Sequence, residues 1–180
     1  DMQKVWERYL RRSSLVVAYS QGFHPQAKIQ QACPLPLGYL SNAEIVDIWL
    51  DDDRIDPQGL FRALTTAPQP GIEIKAITAM PLNDPALQSR VVAASYNVEF
   101  LDDQSLCDLP SGIQRVLTAK SLIRQRRMKN YDLRPLIEEL VLDIGGLSQL
   151  PVLAMRLSAR EGATGRPEEV LLELGQDPAR

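Results

Sequence analysis

The amino-acid sequence predicts an α+β protein of two packed ferredoxin-like halves of the βαββαβ type, the first of which lacks its opening strand. Helical periodicity begins with the first residues, and segments typical of strands, then of a helix and a further strand, follow it. This order is what remains of such a unit without its first strand. A proline-rich segment, residues 81–85, then separates a first domain, residues 1–81, from a second, residues 86–180.

The first half is predicted to open with a helix and to contain four strands. Residues 2–12 place apolar side chains at i, i+3, i+4, i+7 and i+8 and arginines on the outer face, which predicts an amphipathic helix. β-Branched and aromatic content predicts strands over residues 15–19, 28–33, 43–50 and 72–80. Asp56-Pro57 predicts the start of a helix over residues 57–65, because proline is favoured in the first helical turn.

The second half is predicted to alternate strands and helices in a similar way. Strands are predicted over residues 93–101, 121–130, 136–144 and 150–159. Two glutamates near the start of the third of these leave a helical first turn open. Helices are predicted over residues 111–117 and 166–175, the second because proline and acids begin it and glycine ends it.

Composition and charge limit the possible functions. The 180 residues are 44% hydrophobic and 24% charged with a net charge of −3, which is typical of globular domains and gives no global attraction to nucleic acid. No apolar run suits a membrane span or signal peptide, so we expect no membrane partner and a cytoplasmic location. Cys33 and Cys107 match no metal-ligand spacing and suit free thiols. We therefore expect no metal and no cofactor in this chain.

The most specific segment of the chain runs from Tyr19 to Pro25 and includes its sole histidine. Glycine and proline content predicts a shaped loop here, and we expect it to contact a ligand or partner through Ser20, Gln21, Gly22, Phe23 and His24. His24 is also a candidate catalytic acid or base, because imidazole exchanges protons near neutral pH. No nucleophile–base pair can be identified beside it, so a structural role remains open.

A second segment concentrates positive charge. Residues 120–134 hold six cations against the single carboxylate of Asp132. Cations beside a ring that can stack on bases favour nucleic-acid binding, and the candidate binding residues are Arg124, Arg126, Arg127, Lys129 and Tyr131. In a single strand, Arg127 and Lys129 would share one face with Tyr131 and the two other arginines would lie opposite. The alternative is a solvated edge strand, with Asp132 and Arg134 paired around a turn.

Several motifs together resemble a bacterial family. These are Trp6-Glu7-Arg8, the Tyr19–Pro25 segment, Pro34-Leu35-Pro36-Leu37-Gly38, Tyr131-Asp132-Leu133-Arg134-Pro135 and Thr164-Gly165-Arg166-Pro167. They resemble the radical-SAM-linked domain of unknown function, whose members stand alone or follow a radical SAM domain. The resemblance implies an accessory role beside a radical SAM protein, in cis or in trans, and implies that this role is exerted on RNA. It implies no established reaction. Since a strand precedes the first helix in that family, we expect Asp1 to begin a piece of a longer protein.

Three functions follow from these observations. The first is an accessory domain, not itself an enzyme, that binds RNA through the basic segment. The second is a protein-interaction module that docks to a radical SAM enzyme without nucleic acid. The third is a metal-independent ribonuclease that uses His24 as general acid or base.

Overall fold

A computed structural model describes residues 2–52, 56–100, 108–143 and 151–177. Helices and antiparallel strands are mixed along the chain, which confirms the α+β class. The chain divides into two compact units, Asp1–Arg90 and Val91–Arg180. The ferredoxin-like arrangement of each half stays a prediction, and Cys107 lies outside the described residues. Among the described residues, no helix is long and apolar enough to cross a membrane.

The first unit opens with the predicted helix α1, Met2–Arg12. Its apolar face buries Trp6, Tyr9 and Leu10, and the Tyr9 hydroxyl donates a 3.0 Å hydrogen bond to the Leu64 carbonyl. The helix ends as Leu15 N–H bonds back to the Leu10 carbonyl at 3.2 Å, with Ser14 at a φ of 57°. This is the geometry of a helix end that usually employs glycine.

The strands of the first unit are shorter than the sequence predicts. β1, Ile29–Gln31, pairs antiparallel with β2, Val46–Ile48, with Ile29 opposite Ile48. The strand predicted over residues 15–19 is reduced to two isolated bridges, Val17 to Leu50 and Tyr19 to Ala27. The reason is that this segment forms hydrogen bonds to residues 49–51 on one side and to residues 26–28 on the other. It therefore forms a continuous ladder with neither.

The helix predicted over residues 57–65 is confirmed as α2, Pro57–Thr66, where the Asp56 side chain caps the backbone N–H of Gly59. The strand predicted over residues 72–80 is wrong. Ile72, Ile74 and Ile77 pack against the core, but the segment joins no ladder among the described residues. Alternating apolar residues indicate which side chains are buried, whereas a strand also needs a neighbouring edge with which to pair. The short α3, Leu87–Arg90, closes the unit.

The second unit packs helices on an antiparallel sheet. β3, Ala93–Glu99, and β6, Ile137–Asp143, flank β7, Val152–Arg160, and the two-residue β8, Ala163–Thr164, also pairs with β7. The helices α4, Leu109–Thr118, and α5, Pro167–Glu173, bury Val116 and Val170 in its core. The strands β4, Ile123–Arg126, and β5, Lys129–Asp132, form a hairpin that is a separate two-stranded sheet. A 3₁₀ turn, Arg134–Leu136, links it to β6.

Candidate functional site

The basic segment is a hairpin, so the prediction of a single strand over residues 121–130 is wrong. The chain reverses at Arg127 and Met128, whose φ angles are 46° and 66°. The register places Arg124 opposite Tyr131 and Arg126 opposite Lys129. Since directly opposed residues share a face, these four side chains lie on one face and Arg127 lies in the turn. We call residues 123–132 the cationic hairpin.

Asp132 secures the base of the cationic hairpin. One carboxylate oxygen accepts hydrogen bonds from the backbone N–H of Leu122 at 2.7 Å and of Arg134 at 3.0 Å. These bonds, the one to Leu122 foremost, hold the pKa of Asp132 below its ordinary value. The two hairpin ends are thereby fixed to each other.

Arg134 attaches this base to α4. Its guanidinium donates to the carbonyls of Leu117 at 3.0 Å and Ile137 at 3.1 Å. Leu117 is in the last turn of α4, where unpaired carbonyls favour a cation. The side chains of Asp132 and Arg134 therefore both form hydrogen bonds to backbone groups. The alternative prediction, that these two residues only pair with each other around a turn, does not account for those bonds.

Arg124 attaches the cationic hairpin to α5. It forms a 2.8 Å ion pair with Glu173, which also binds Arg115 at 2.9 Å. A further 3.5 Å contact joins Arg124 to the Glu169 carbonyl. A phosphate bound by Arg124 would compete with Glu173, so this predicted binding residue has a structural task in the fold.

Three other predicted cations lack such partners. Arg126, Arg127 and Lys129 form no ion pair within the part of the chain that the structure describes. Arg127 and Lys129 are exposed, and Arg126 is half-buried. They occupy the turn end of the cationic hairpin, so their positive charge is available to an external anion.

Tyr131 lies among these charges. Its ring is half-buried and packs against the core of the second unit. Burial raises the pKa of its hydroxyl and Glu169 raises it further, while Arg124, Arg126 and Arg166 lower it. Arg166, the exposed residue before α5, therefore acts on the same ring as Arg126, and so does the Glu169 carboxylate. The sequence showed Arg166 only as the start of a helix, because its proximity to Tyr131 depends on tertiary packing.

The other predicted contact residues form a loop closed at its neck. Ser20 N–H donates to the Gln26 carbonyl at 2.8 Å, and Gln26 N–H donates to Ser20 Oγ at 2.9 Å. Gly22 has a φ of 137°, a conformation that requires glycine. Phe23 at the apex is fully exposed. We call residues 20–26 the Ser20–Gln26 loop. Its backbone agrees with the shaped loop that the glycine and proline content predicts.

His24 is exposed on this loop and has no hydrogen bond or ion pair to any described residue. Nor do the described residues contain a group of three or more His, Cys, Asp or Glu that could hold a metal ion. Acid–base catalysis needs a nucleophile or an orienting group within hydrogen-bond reach. The catalytic role of His24 stays a prediction that no neighbouring described residue supports.

Fold and site together define an α+β protein with a cationic hairpin beside a helix-covered sheet. The chain belongs to a family of uncharacterised proteins conserved in bacteria (DUF2344), whose family model matches residues 1–167. The match includes all of the first compact unit and, within the second, the whole cationic hairpin. No curated protein and no solved structure is significantly similar to the chain.

Proposed function

We propose that this protein is an accessory factor that binds RNA through the turn end of the cationic hairpin. The observation that carries the proposal is the group Arg126, Arg127 and Lys129, which form no ion pair with a described carboxylate. Lysine and arginine held without a partner on a narrow ribbon suit contact with phosphates. Arg166 and Tyr131 extend this surface toward α5. The resemblance to radical-SAM-linked domains supports an accessory role.

The net charge of −3 bears on how such binding would work. A net negative charge gives no overall attraction to a polyanion, so binding would depend on local clusters of cations such as the turn end of the cationic hairpin. Arg124 supports the site by holding the cationic hairpin on α5 through Glu173.

The test is the affinity of the full chain for a fluorescein-labelled RNA stem–loop with a single-stranded tail. We expect Arg126→Glu with Arg127→Glu to weaken binding at least about tenfold, because two phosphate contacts become repulsive. Lys4→Glu with Arg8→Glu is the matched control, since it changes net charge equally on the exposed face of α1. Equal affinity of the wild type and the hairpin variant would refute RNA binding at this site.

A second candidate function is docking to a radical SAM protein through the first unit. Phe23, Leu37 and Leu40 are fully exposed apolar side chains, and burying such groups is a common source of protein–protein affinity. Nuclease-resistant co-purification with a co-expressed radical SAM protein, lost in Phe23→Ala, would support it. Leu82→Ala is the control, because Leu82 is an exposed apolar residue in the same unit. Unchanged co-purification of Phe23→Ala would exclude the loop as the contact.

A further inference from the structure

The turn of the cationic hairpin has an unusual composition. Two-residue turns with positive φ favour Asn-Gly, because L side chains are strained there. Here Arg127 and Met128 occupy these positions, with φ of 46° and 66°. Met128 is 90% exposed, so its side chain stabilises nothing in the fold. A strained residue with an exposed apolar side chain points to a function outside the folded core.

The charges around Met128 indicate what kind of molecule its side chain contacts. Arg127 precedes it, Lys129 follows it, and Arg126 lies opposite Lys129 in the register. None of these cations has an ion pair among the described residues. A protein groove that accepted Met128 would have to accommodate all three charges, whereas in a nucleic acid the phosphates lie beside the base stack. Charge complementarity therefore favours a polyanion with accessible apolar faces.

We propose that Met128 is an apolar wedge that enters RNA where an unpaired base interrupts a stem, while the flanking cations hold the phosphates. This inference rests on the proposed RNA binding and names its substrate class, a bulged stem. Apolar side chains, methionine included, insert between base steps in nucleic-acid complexes. Separating two stacked base pairs costs free energy, and the contacts of one methionine side chain offset little of that cost. At an unpaired base the stack is already open, and the flexible thioether can pack on the base faces.

The experiment compares two RNA duplexes that differ by one bulged base, with 2-aminopurine next to the bulge and at the same place in the paired control. We expect wild-type full-length protein to bind the bulged duplex about tenfold more tightly and to change its fluorescence, since one base contact is gained. Met128→Gly should lose this preference and the fluorescence change, yet bind the paired duplex as before. Glycine suits the turn, so this variant should fold at least as well.

Two controls accompany this variant. Met128→Leu keeps an apolar side chain and should keep the preference. Met80→Gly removes another exposed methionine, in the first unit, and should have no effect. A wild type without preference, or a Met128→Gly variant with undiminished preference, would overturn the wedge. If Arg126→Glu with Arg127→Glu still weakens binding to both duplexes, RNA binding stands without the wedge; if it does not, the proposed function itself fails.

Discussion

Asp132 accepts hydrogen bonds from two backbone N–H groups, and Arg134 donates to two backbone carbonyls. Side chains that satisfy backbone groups at the base of a hairpin replace the pairing that the ladder cannot supply there. Glu173 acts similarly on side chains, because its two carboxylate oxygens pair with Arg115 and Arg124 at once. These residues hold the site in shape, whereas Arg126, Arg127 and Lys129 are free to bind.

The lowered pKa of Asp132 predicts acid sensitivity. A carboxylate with a lowered pKa in the folded state contributes stability at neutral pH, and this contribution is lost as the pH falls below the ordinary value of 3.8 toward the lowered one. We expect Asp132→Asn to be less stable than the wild type at neutral pH, with the difference shrinking on acidification. Urea unfolding over a pH series measures this. A difference that does not change with pH would show that the charge is unimportant.

Gly165 is predicted to be needed for close packing. A Cβ there would lie 3.0 Å from the Leu136 carbonyl oxygen and 3.1 Å from Leu157 Cβ. Gly165→Ala should lower the free energy of unfolding by about 1–3 kcal/mol through overpacking. In Gly112→Ala the nearest atom lies at an ordinary 3.4 Å, so chemical denaturation should show no comparable loss in that control. Equal stabilities of the two variants would contradict the close approach.

At the scale of elements, α1 ends in a conformation that its sequence disfavours. Ser14 has a φ of 57°, where glycine has no steric cost. We expect Ser14→Gly to raise the free energy of unfolding by about 1 kcal/mol. Ser14→Ala retains a Cβ and should give no such gain in the same thermal or urea melts. A stabilised alanine variant would mean that helix propensity, and not the left-handed conformation, determines the effect.

The attachment of the cationic hairpin to α5 gives another prediction. Glu173→Gln removes the carboxylate shared by Arg115 and Arg124, which should cost about 1–2 kcal/mol of stability. Backbone amides of β4 and β5 should then exchange faster with deuterium. Glu161→Gln changes an exposed carboxylate without an ion pair among the described residues and should leave exchange unaltered. Unchanged exchange in Glu173→Gln would show that the base contacts alone hold the hairpin.

The helices were predictable because their signals are local. Pro57 after Asp56 and Pro167 before two glutamates mark helix starts within a few residues. Pairing partners are not local, so residues 72–80 have the alternation of a strand without a neighbour. The turn at Arg127-Met128 lacks the Asn-Gly signal of a hairpin, so no local pattern indicates that the chain reverses there. A single strand therefore places Arg126 and Tyr131 on opposite faces, whereas the hairpin places them on the same face.

At the scale of the whole molecule, the net charge of −3 and the cations at the turn end of the cationic hairpin predict a distinctive salt dependence. If Arg126, Arg127, Lys129 and Arg166 each neutralise one phosphate, the logarithm of the binding constant should fall with the logarithm of salt concentration at a slope of about −3. Removing two of the cations should bring the slope to about −1.5. Fluorescence anisotropy titrations at several salt concentrations measure both slopes. A salt-independent affinity would contradict phosphate contacts.

The neck of the Ser20–Gln26 loop has a practical consequence. Its two hydrogen bonds involve only Ser20 and Gln26, and the apex residues Phe23 and His24 are exposed. The side chain of His24 can therefore be replaced by a dye-bearing cysteine while Gly22 keeps its conformation and the backbone on either side stays paired. Such a variant would give the first unit its own spectroscopic reporter without a substitution in the cationic hairpin.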